Sequence, residues 1–156
     1  MKKITFLRHA KSSWEYNVPD RDRPLIEKGI NDIKKVTNIF VNKFVTVQVV
    51  FSSPAIRAVS TALTMMNQIK IPLTKFKVME ALYTFNGDSI IDFVSNLDDK
   101  YEEVILVGHN PAFSVAANYF CTDDYNEIKT SGFIQIIFNS NKWASINNGT
   151  SFFGSK

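Results

Sequence analysis

The sequence predicts an α/β protein built as a three-layer α/β/α sandwich with a mostly parallel sheet. Short apolar runs rich in β-branched residues alternate with longer segments of helical periodicity, the order typical of parallel sheets covered on both faces. The chain has 156 residues, 45% of them hydrophobic, which is enough for one packed core. No internal repeat, linker or low-complexity block interrupts it, so residues 1–156 are predicted to form a single domain.

The first half of the chain contains three predicted strands and two predicted helices. Their order is a strand at Ile4–Leu7, a helix from Pro24 to about Phe44, a strand at Val45–Phe51, a helix at Ala55–Ile69 and a strand at Phe76–Leu82. Apolar residues recur at helical spacing after Pro24, which itself suits the first turn of a helix. The run VTVQVVF is short and β-branched, as strands are. The hydroxyl before Pro54 is a helix-start signal.

The second half of the chain continues the alternation and then ends in two adjacent strands. The predicted elements are a helix at Asp88–Leu97, a strand at Glu103–Val107, a helix at Ala112–Phe120, and strands at Phe133–Phe138 and Lys142–Ile146. An Asn-Ser-Asn turn separates the last two strands. The polar tail from residue 147 to residue 156 carries no predicted element, and the Phe152-Phe153 pair in it has no predicted role.

The charge and cysteine content exclude several classes of protein. A formal net charge of +3, with acidic residues interspersed and no basic stripe, argues against nucleic-acid binding. The clusters Lys34-Lys35 and Arg21-Asp22-Arg23 are expected to be solvated surface. Cys121 is the only cysteine, so no internal disulfide is expected, and we interpret it as a small buried apolar residue. There is no signal-peptide pattern and no apolar run of about 20 residues, so we expect a cytoplasmic protein without a membrane partner.

Arginines and both histidines of the chain follow predicted strands. Arg8 and His9 end the first strand, Arg57 lies one turn into the helix after the second, and His109 follows the strand at residues 103–107. Because the carboxyl ends of neighbouring parallel strands meet at one edge of a sheet, we expect Arg8, His9, Arg57 and His109 to converge there. Alone, each has an ordinary interpretation, since a histidine at a strand end is often structural and an early helical arginine is often a surface cation. Gly108-His109-Asn110-Pro111 also has the composition of a plain turn.

The combination of these residues suits phosphoryl chemistry. Guanidinium groups offer paired donors that match phosphoryl oxygens and stabilise charge during transfer. A neutral imidazole can attack phosphorus and form a phosphohistidine, while the second imidazole donates to a phosphoryl oxygen. The helices that follow Pro54 and Pro111 would direct backbone N–H groups to the same place.

Three segments of the chain resemble motifs of the histidine phosphatase superfamily. Leu7-Arg8-His9-Ala10 is similar to the first, residues 52–58 with Thr61-Ala62 to the second, and Val107-Gly108-His109-Asn110 to the third. The resemblance runs in order from about residue 3 to about residue 120. Within this superfamily, the SixA-like phosphohistidine phosphatase branch is the most similar. Three features carry this likeness: the short chain, the segment from Arg8 to Trp14, and the later Asp22-Arg23-Pro24-Leu25.

The resemblance implies a phosphoglycerate-mutase-like fold and a set of roles. His9 would be the phosphorylated nucleophile, and Arg8, Arg57 and His109 would complete the phosphate pocket. No metal or other cofactor is implied, in agreement with the poor metal site that two histidines without a clear carboxylate partner would make. The implied substrate is phosphohistidine on a protein, and a small phosphoester is the close variant. A mutase is disfavoured because the chain has little length for loops that exclude water. Two functions of a different class stay open, a non-catalytic phosphate-binding module and a metallohydrolase that uses both histidines.

The chain departs from the family pattern where an acid is expected to protonate the leaving group. Glu80 is near the usual position after the third strand, and it is either this proton donor or a surface residue. The further acid that the small branch often carries after the Leu-Tyr pair is replaced by Thr84-Phe85. Ile26 stands where a hydroxyl commonly follows the leucine. Lys11 and Ser12 are candidate phosphate contacts, although Lys11 is equally well interpreted as a solvated charge. The segment from residue 130 to residue 132 is a further candidate neighbour of the pocket.

Overall fold

The computed structural model describes every residue from Met1 to Lys156 and contains one six-stranded sheet with four α-helices. The strands are β1 (Lys2–Arg8), β2 (Val49–Ser52), β3 (Phe76–Val78), β4 (Glu103–Gly108), β5 (Phe133–Phe138) and β6 (Thr150–Gly154). The helices are α1 (Glu27–Ile39), α2 (Ile56–Gln68), α3 (Gly87–Ser95) and α4 (Ala112–Phe120). None of these helices combines the length and the apolar character that crossing a bilayer requires.

The strand order β3-β2-β4-β1-β5-β6 brings the first, second and fourth strands side by side. The pairs β1–β4, β2–β4 and β2–β3 are parallel, whereas β5 runs antiparallel to both of its neighbours. The predicted mostly parallel sheet in an α/β/α sandwich is therefore confirmed. Arg8 stands opposite Gly108, and Ser52 stands opposite Val107. This register aligns the carboxyl ends of β1, β4 and β2, so the residues that follow them meet at one edge.

The sheet buries both of its faces in separate apolar clusters. On one face, the strands pack against α1 and α2, and on the other they pack against α3 and α4. Consecutive side chains of β1 alternate between the two, since Phe6 belongs to the cluster with α4 and Leu7 to the cluster with α1. Each fully buried side chain of this size contributes about 1.5–3 kcal/mol. The continuous apolar runs of the central strands follow from this two-sided burial.

Most predicted elements are present, but the segment before α1 is not helical. Ser13 N–H donates to the Pro24 carbonyl, and Ile26 N–H donates to the Lys11 carbonyl. These bonds tie residues 24–26 to the segment after His9 in an extended arrangement, so Pro24 is outside the helix and α1 begins at Glu27. The helix predicted to reach Phe44 ends at Ile39, and a short 3-10 turn at Val41–Lys43 follows it.

Two predicted strands are shorter than the apolar runs that suggested them. β2 begins at Val49 rather than Val45, because residues 41–47 fold back in turns whose N–H groups pair locally. β3 ends at Val78, after which a 3-10 turn at Glu80–Leu82 buries Leu82 in the core. The hydroxyl of Ser53 accepts a bond from Ala55 N–H, but the cap of α2 is Ala55 and makes no side-chain bond.

The prediction of a strand at Lys142–Ile146 is wrong, and the last strand lies in the tail instead. Residues 143–145 form a 3-10 turn, because Trp143 is fully buried and its indole N–H donates to the Tyr101 carbonyl. β6 then pairs antiparallel with β5. The two tail phenylalanines thereby acquire a role, since Phe152 packs on Phe133 and Phe153 on Tyr125.

Candidate functional site

A cleft of about 410 Å³ opens at the carboxyl edge of β1, β4 and β2. Arg8, Lys11, Arg23 and Arg57 line it, together with His9 and a single carboxylate, that of Asp20. Four cations against one carboxylate give the cleft a formal charge of +3, which favours an anionic ligand. A larger groove of about 660 Å³ lies beside β3 and α3, but neither a histidine nor an arginine lines it. We therefore place the candidate active site in the smaller, charged cleft.

His9 follows β1 and has one ring nitrogen fixed by the backbone. Its Nδ1 lies 2.7 Å from the Ala10 carbonyl, which can only accept, so Nδ1 carries the proton and Nε2 keeps its lone pair. The pKa of His9 is lowered to about 4, mainly by burial, with the charges of Arg57 and Arg8 acting in the same direction and the backbone bond to Ala10 opposing them. At neutral pH the imidazole is uncharged, which is the form that a nucleophile requires.

His109 follows β4 and lies against His9, with 5.3 Å between the ring centroids. Its Nε2 lies 2.8 Å from Ser53 Oγ, and its Nδ1 lies 3.5 Å from Arg57 Nη2. Because a guanidinium can only donate, Nδ1 is the acceptor and Nε2–H donates to Ser53. The pKa of His109 is lowered to about 3, mainly by burial, with His9 and Arg57 acting in the same direction. Ser53, which precedes Pro54, thus orients the second imidazole and takes the one N–H of its neutral ring, so phosphate binding by His109 stays a prediction.

The two arginines predicted to bind phosphate both line the cleft, Arg57 from a buried position and Arg8 from a half-buried one. Arg57 is only 2% exposed, and Arg8 Nη1 donates to the Ile128 carbonyl at 2.8 Å. The Nε atoms of Arg8 and Arg57 are buried and have no hydrogen-bond partner. Buried donors without partners are rare in folded proteins, so these two N–H groups are the unsatisfied donors of the two arginines that line the cleft.

Asp20 is a residue of the cleft that the sequence analysis missed. Arg57 donates to it twice, from Nη1 to the backbone carbonyl at 2.7 Å and from Nη2 to Oδ2 at 2.9 Å. The Tyr83 hydroxyl donates to the same Oδ2 at 2.5 Å, and Arg23 Nη1 donates to Oδ1 at 3.0 Å. Burial alone would raise the pKa of Asp20, but these three partners hold it well below its usual range. Asp20 therefore remains ionised, and it already accepts hydrogen bonds from both terminal nitrogens of Arg57.

Arg23 also belongs to the cleft, which corrects the prediction that its cluster is solvated surface. It is 8% exposed, and Nε donates to the Ser13 carbonyl at 3.0 Å while Nη2 donates to Ser12 Oγ. The charged cluster of residues 21–23 is thus divided, because Arg21 and Asp22 are exposed. The Arg-Pro-Leu run, which forms part of the family resemblance, is the signal that could have found Arg23.

The weaker candidate contacts lie around the same cleft. Lys11 lines it with an exposed side chain, and Ser12 lines it with its hydroxyl engaged by Arg23. Thr130 also lines the cleft, and Ser131 N–H donates to the His9 carbonyl at 3.2 Å. The segment from residue 130 to residue 132 thus borders the pocket. Phosphate binding by Lys11 and Ser12 stays a prediction.

Glu80 lies outside the residues that line the cleft. Its side chain is 70% exposed, and both carboxylate oxygens accept from Arg21, at 2.7 and 2.8 Å. This bond with Arg21 lowers the pKa of Glu80, so the carboxylate is ionised at neutral pH. The position of Glu80 agrees with its interpretation as a surface residue. Its role as a proton donor stays a prediction.

Comparison with known proteins places the chain in a family. A sequence profile described as histidine phosphatase superfamily (branch 1) matches residues 4–82, about half of the chain, including the Arg8-His9 and Arg57 segments. The chain belongs to the histidine phosphatase superfamily. The resemblance found in the sequence is confirmed, and so is the prediction of a phosphatase of this superfamily.

Similar proteins cover much of the chain at low identity. An uncharacterised Mycobacterium tuberculosis protein, MT1313, is 29% identical over 111 residues, covering 71% of this chain and 67% of its own. A chloroplastic Arabidopsis thaliana protein, At3g52155, is 27% identical over 127 residues, covering 75% and 58%.

Solved structures share the fold. The protein histidine phosphatase SixA complexed with tungstate aligns with a TM-score of 0.82 at 18% identity, covering 98% of this chain and 96% of that one. A mycobacterial glucosyl-3-phosphoglycerate phosphatase aligns with a TM-score of 0.70 at 11% identity, covering 99% and 98%. These likenesses establish the phosphoglycerate-mutase-like fold, and the two proteins act on different classes of substrate.

Proposed function

We propose that this protein is a metal-independent phosphatase that forms a phosphohistidine at His9, with phosphohistidine on a protein as its substrate. The observation that carries the proposal is the neutral His9 imidazole, whose Nε2 lone pair is free in a cleft lined by four cations. The Nδ1–H bond to the Ala10 carbonyl holds the ring in the reactive tautomer.

In the first step, His9 Nε2 attacks phosphorus. The new Nε2–P bond forms as the P–N bond of the substrate breaks. The substrate ring is protonated on its other nitrogen, so the electron pair of the broken bond goes to a departing neutral imidazole. Arg8 and Arg57 bind the phosphoryl oxygens through their buried donors and stabilise the charge on them. The His9 ring becomes cationic as it accepts phosphorus, and the Ala10 carbonyl stabilises the proton on Nδ1.

In the second step, water attacks the phosphohistidine. A water oxygen bonds to phosphorus, the Nε2–P bond breaks, and its electron pair returns to Nε2. The water proton moves to a phosphoryl oxygen, so dihydrogen phosphate leaves and His9 regains its neutral form. The open cleft supports hydrolysis rather than return of the phosphoryl group to a second acceptor, since a mutase must exclude water.

The state of the carboxylates favours an imidazole leaving group over an alkoxide. An alkoxide needs a proton in the transition state. Asp20 is the only carboxylate of the cleft, and its partners keep it ionised, while Glu80 is exposed and bonded to Arg21. An imidazole leaves more easily, because its conjugate acid has an ordinary pKa of about 6.5. Hydrolysis of a small phosphoester is the second candidate, and the fold that this chain shares with a glucosyl-3-phosphoglycerate phosphatase supports it.

Two other functions make distinct predictions. A non-catalytic phosphate-binding module would use the same arginines without turnover. A metallohydrolase would need a shared ligand set, but no group of three or more His, Cys, Asp or Glu residues converges anywhere in the chain. Activity lost with a chelator and restored by one divalent metal would favour the metallohydrolase.

The proposal is tested with a His9→Ala variant assayed on an aryl phosphate and on a phosphohistidine peptide. We expect turnover of both substrates to fall by at least about a thousandfold, because the nucleophile is absent. We expect inorganic phosphate still to bind, because the arginines remain. Near-normal turnover would remove His9 from the nucleophile role. Phosphate binding by a wild-type protein that turns over neither substrate would favour the non-catalytic module.

A further inference from the structure

Large apolar side chains stand in solvent around the mouth of the charged cleft. Trp14 is 79% exposed, Tyr16 60%, Val18 41% and Phe85 52%. We call these four residues the apolar rim. Scattered exposed apolar residues are ordinary, but a group gathered around one site marks an interaction surface.

The apolar rim flanks the cleft on two sides. Trp14 covers Arg23, with 3.3 Å between the guanidinium carbon and the ring centroid. Phe85 packs on His109, with 5.5 Å between the ring centroids. Because Trp14 and Phe85 themselves line the cleft, a phosphoryl group bound there would bring its carrier into contact with both rings.

The remaining two members stand on the loop that borders the cleft. Every residue from Trp14 to Asp22 is exposed, yet the loop is fixed at both ends. Glu15 N–H donates to Ser13 Oγ, and Asp20 is bonded to Arg57. Tyr16 and Val18 make no hydrogen bond to the rest of the chain. The loop therefore holds two apolar side chains beside the cleft without using them for folding.

The charge of the loop distinguishes between possible partners. Residues 14–23 contain three acidic residues, Glu15, Asp20 and Asp22, and two basic ones, Arg21 and Arg23, which gives a formal charge of −1. An anionic lipid surface attracts basic segments, so this loop does not suit one. The cleft itself is lined by four cations, and it suits one phosphoryl group with the apolar rim beside it.

We propose that the apolar rim binds a protein partner at the apolar residues that flank its phosphorylated histidine. This inference rests on the proposed function and adds to it the chemistry by which the carrier protein is selected. The cationic cleft takes the phosphoryl group, and Tyr16 and Val18 contact the apolar neighbours of the phosphorylated residue.

The test compares two phosphohistidine peptides, one with leucines and one with serines on both sides of the phosphohistidine. We expect wild type to hydrolyse the leucine-flanked peptide with a kcat/KM about tenfold higher, the effect of partly burying one or two apolar side chains. The double variant Tyr16→Ser, Val18→Ser should lose this preference while its turnover of an aryl phosphate is unchanged. Tyr119→Ser is the matched control, since Tyr119 is 64% exposed near the far end of α4, and it should keep the preference.

A wild type without preference, or a double variant that keeps it, would overturn the proposed rim. If wild type hydrolyses aryl phosphate but neither peptide, phosphohistidine is not the substrate. The proposal for the apolar rim is then tested by peptide binding alone. In a His9→Ala background, acrylamide quenching reports exposed Trp14, because Trp143 is fully buried. Protection of Trp14 by the leucine-flanked phosphopeptide, and not by the serine-flanked one, supports the rim. Equal protection by both, or by phosphatidylglycerol vesicles alone, refutes it.

Discussion

Replacing Asp20 by asparagine removes the one negative charge that competes with a phosphoryl group for Arg57. Asp20 Oδ2 lies 2.9 Å from Arg57 Nη2. The asparagine oxygen can still accept from the guanidinium, so the change removes charge while keeping the shape of the contact. We expect inorganic phosphate to bind the Asp20→Asn variant more tightly than wild type.

The size of this effect follows from the distance between the two anions. A phosphoryl group that accepts from the same guanidinium places its charge on the order of 6 Å from the carboxylate, where two unit charges repel by about 1–3 kcal/mol. The Asp20 side chain is 42% exposed, so solvent screening favours the lower part of this range. An affinity about tenfold higher is therefore expected, the equivalent of about 1.4 kcal/mol.

The assay is competitive inhibition of aryl phosphate hydrolysis by inorganic phosphate. The inhibition constant of Asp20→Asn should fall about tenfold. Asp22→Asn is the matched control, because Asp22 is exposed on the same loop and makes no contact with Arg57, and its inhibition constant should equal that of wild type. An unchanged or weaker affinity in Asp20→Asn would refute the reasoning. It would mean that Asp20 serves mainly to orient Arg57 for the ligand.

Three further predictions concern pH, Glu80 and packing. Both histidines have pKa values below the ordinary 6.5, so between pH 6.5 and about 4 the unfolded chain binds more protons than the folded one. The free energy of unfolding from urea titrations should therefore fall as pH drops through that range, and it should fall less in His9→Asn. Glu80→Gln should change aryl phosphate and phosphohistidine turnover equally and by less than about threefold, since only an exposed salt bridge with Arg21 is lost. A selective loss on the aryl phosphate would return Glu80 to the proton-donor role. Gly29→Ala should lower the unfolding free energy by about 1–3 kcal/mol. The reason is that its Cβ would collide with the Lys11 carbonyl oxygen, and an unchanged urea midpoint would contradict this packing.

The alternation of strands and helices was predictable because it depends on local periodicity. The residues after β1 and β4 could be assigned to one edge of the sheet, since parallel strands align their carboxyl ends. The convergence of His9 and His109 follows from this rule. The polar tail gave no such signal. β6 is an edge strand whose pairing with β5 is long-range, and Trp143 is held by the distant Tyr101 carbonyl.

The charges of the cleft were the part of the site that local patterns could not predict. Arg21, Asp22 and Arg23 are neighbours in sequence, yet only Arg23 is buried. Which charged side chain turns inward depends on partners far along the chain, such as Arg57 and Tyr83 for Asp20. For the same reason, sequence position alone suggested Glu80 as a proton donor, whereas its contact with Arg21 could not be foreseen.

Trapping of the covalent enzyme is the measurement that decides whether His9 carries the phosphoryl group. The protein is mixed with a labelled phosphohistidine peptide, denatured within milliseconds in alkali, digested and analysed by mass spectrometry. We predict one labelled peptide phosphorylated at His9, whose label is stable in alkali and lost in acid. Label on any other residue, or turnover without any labelled protein, would contradict nucleophilic catalysis by His9.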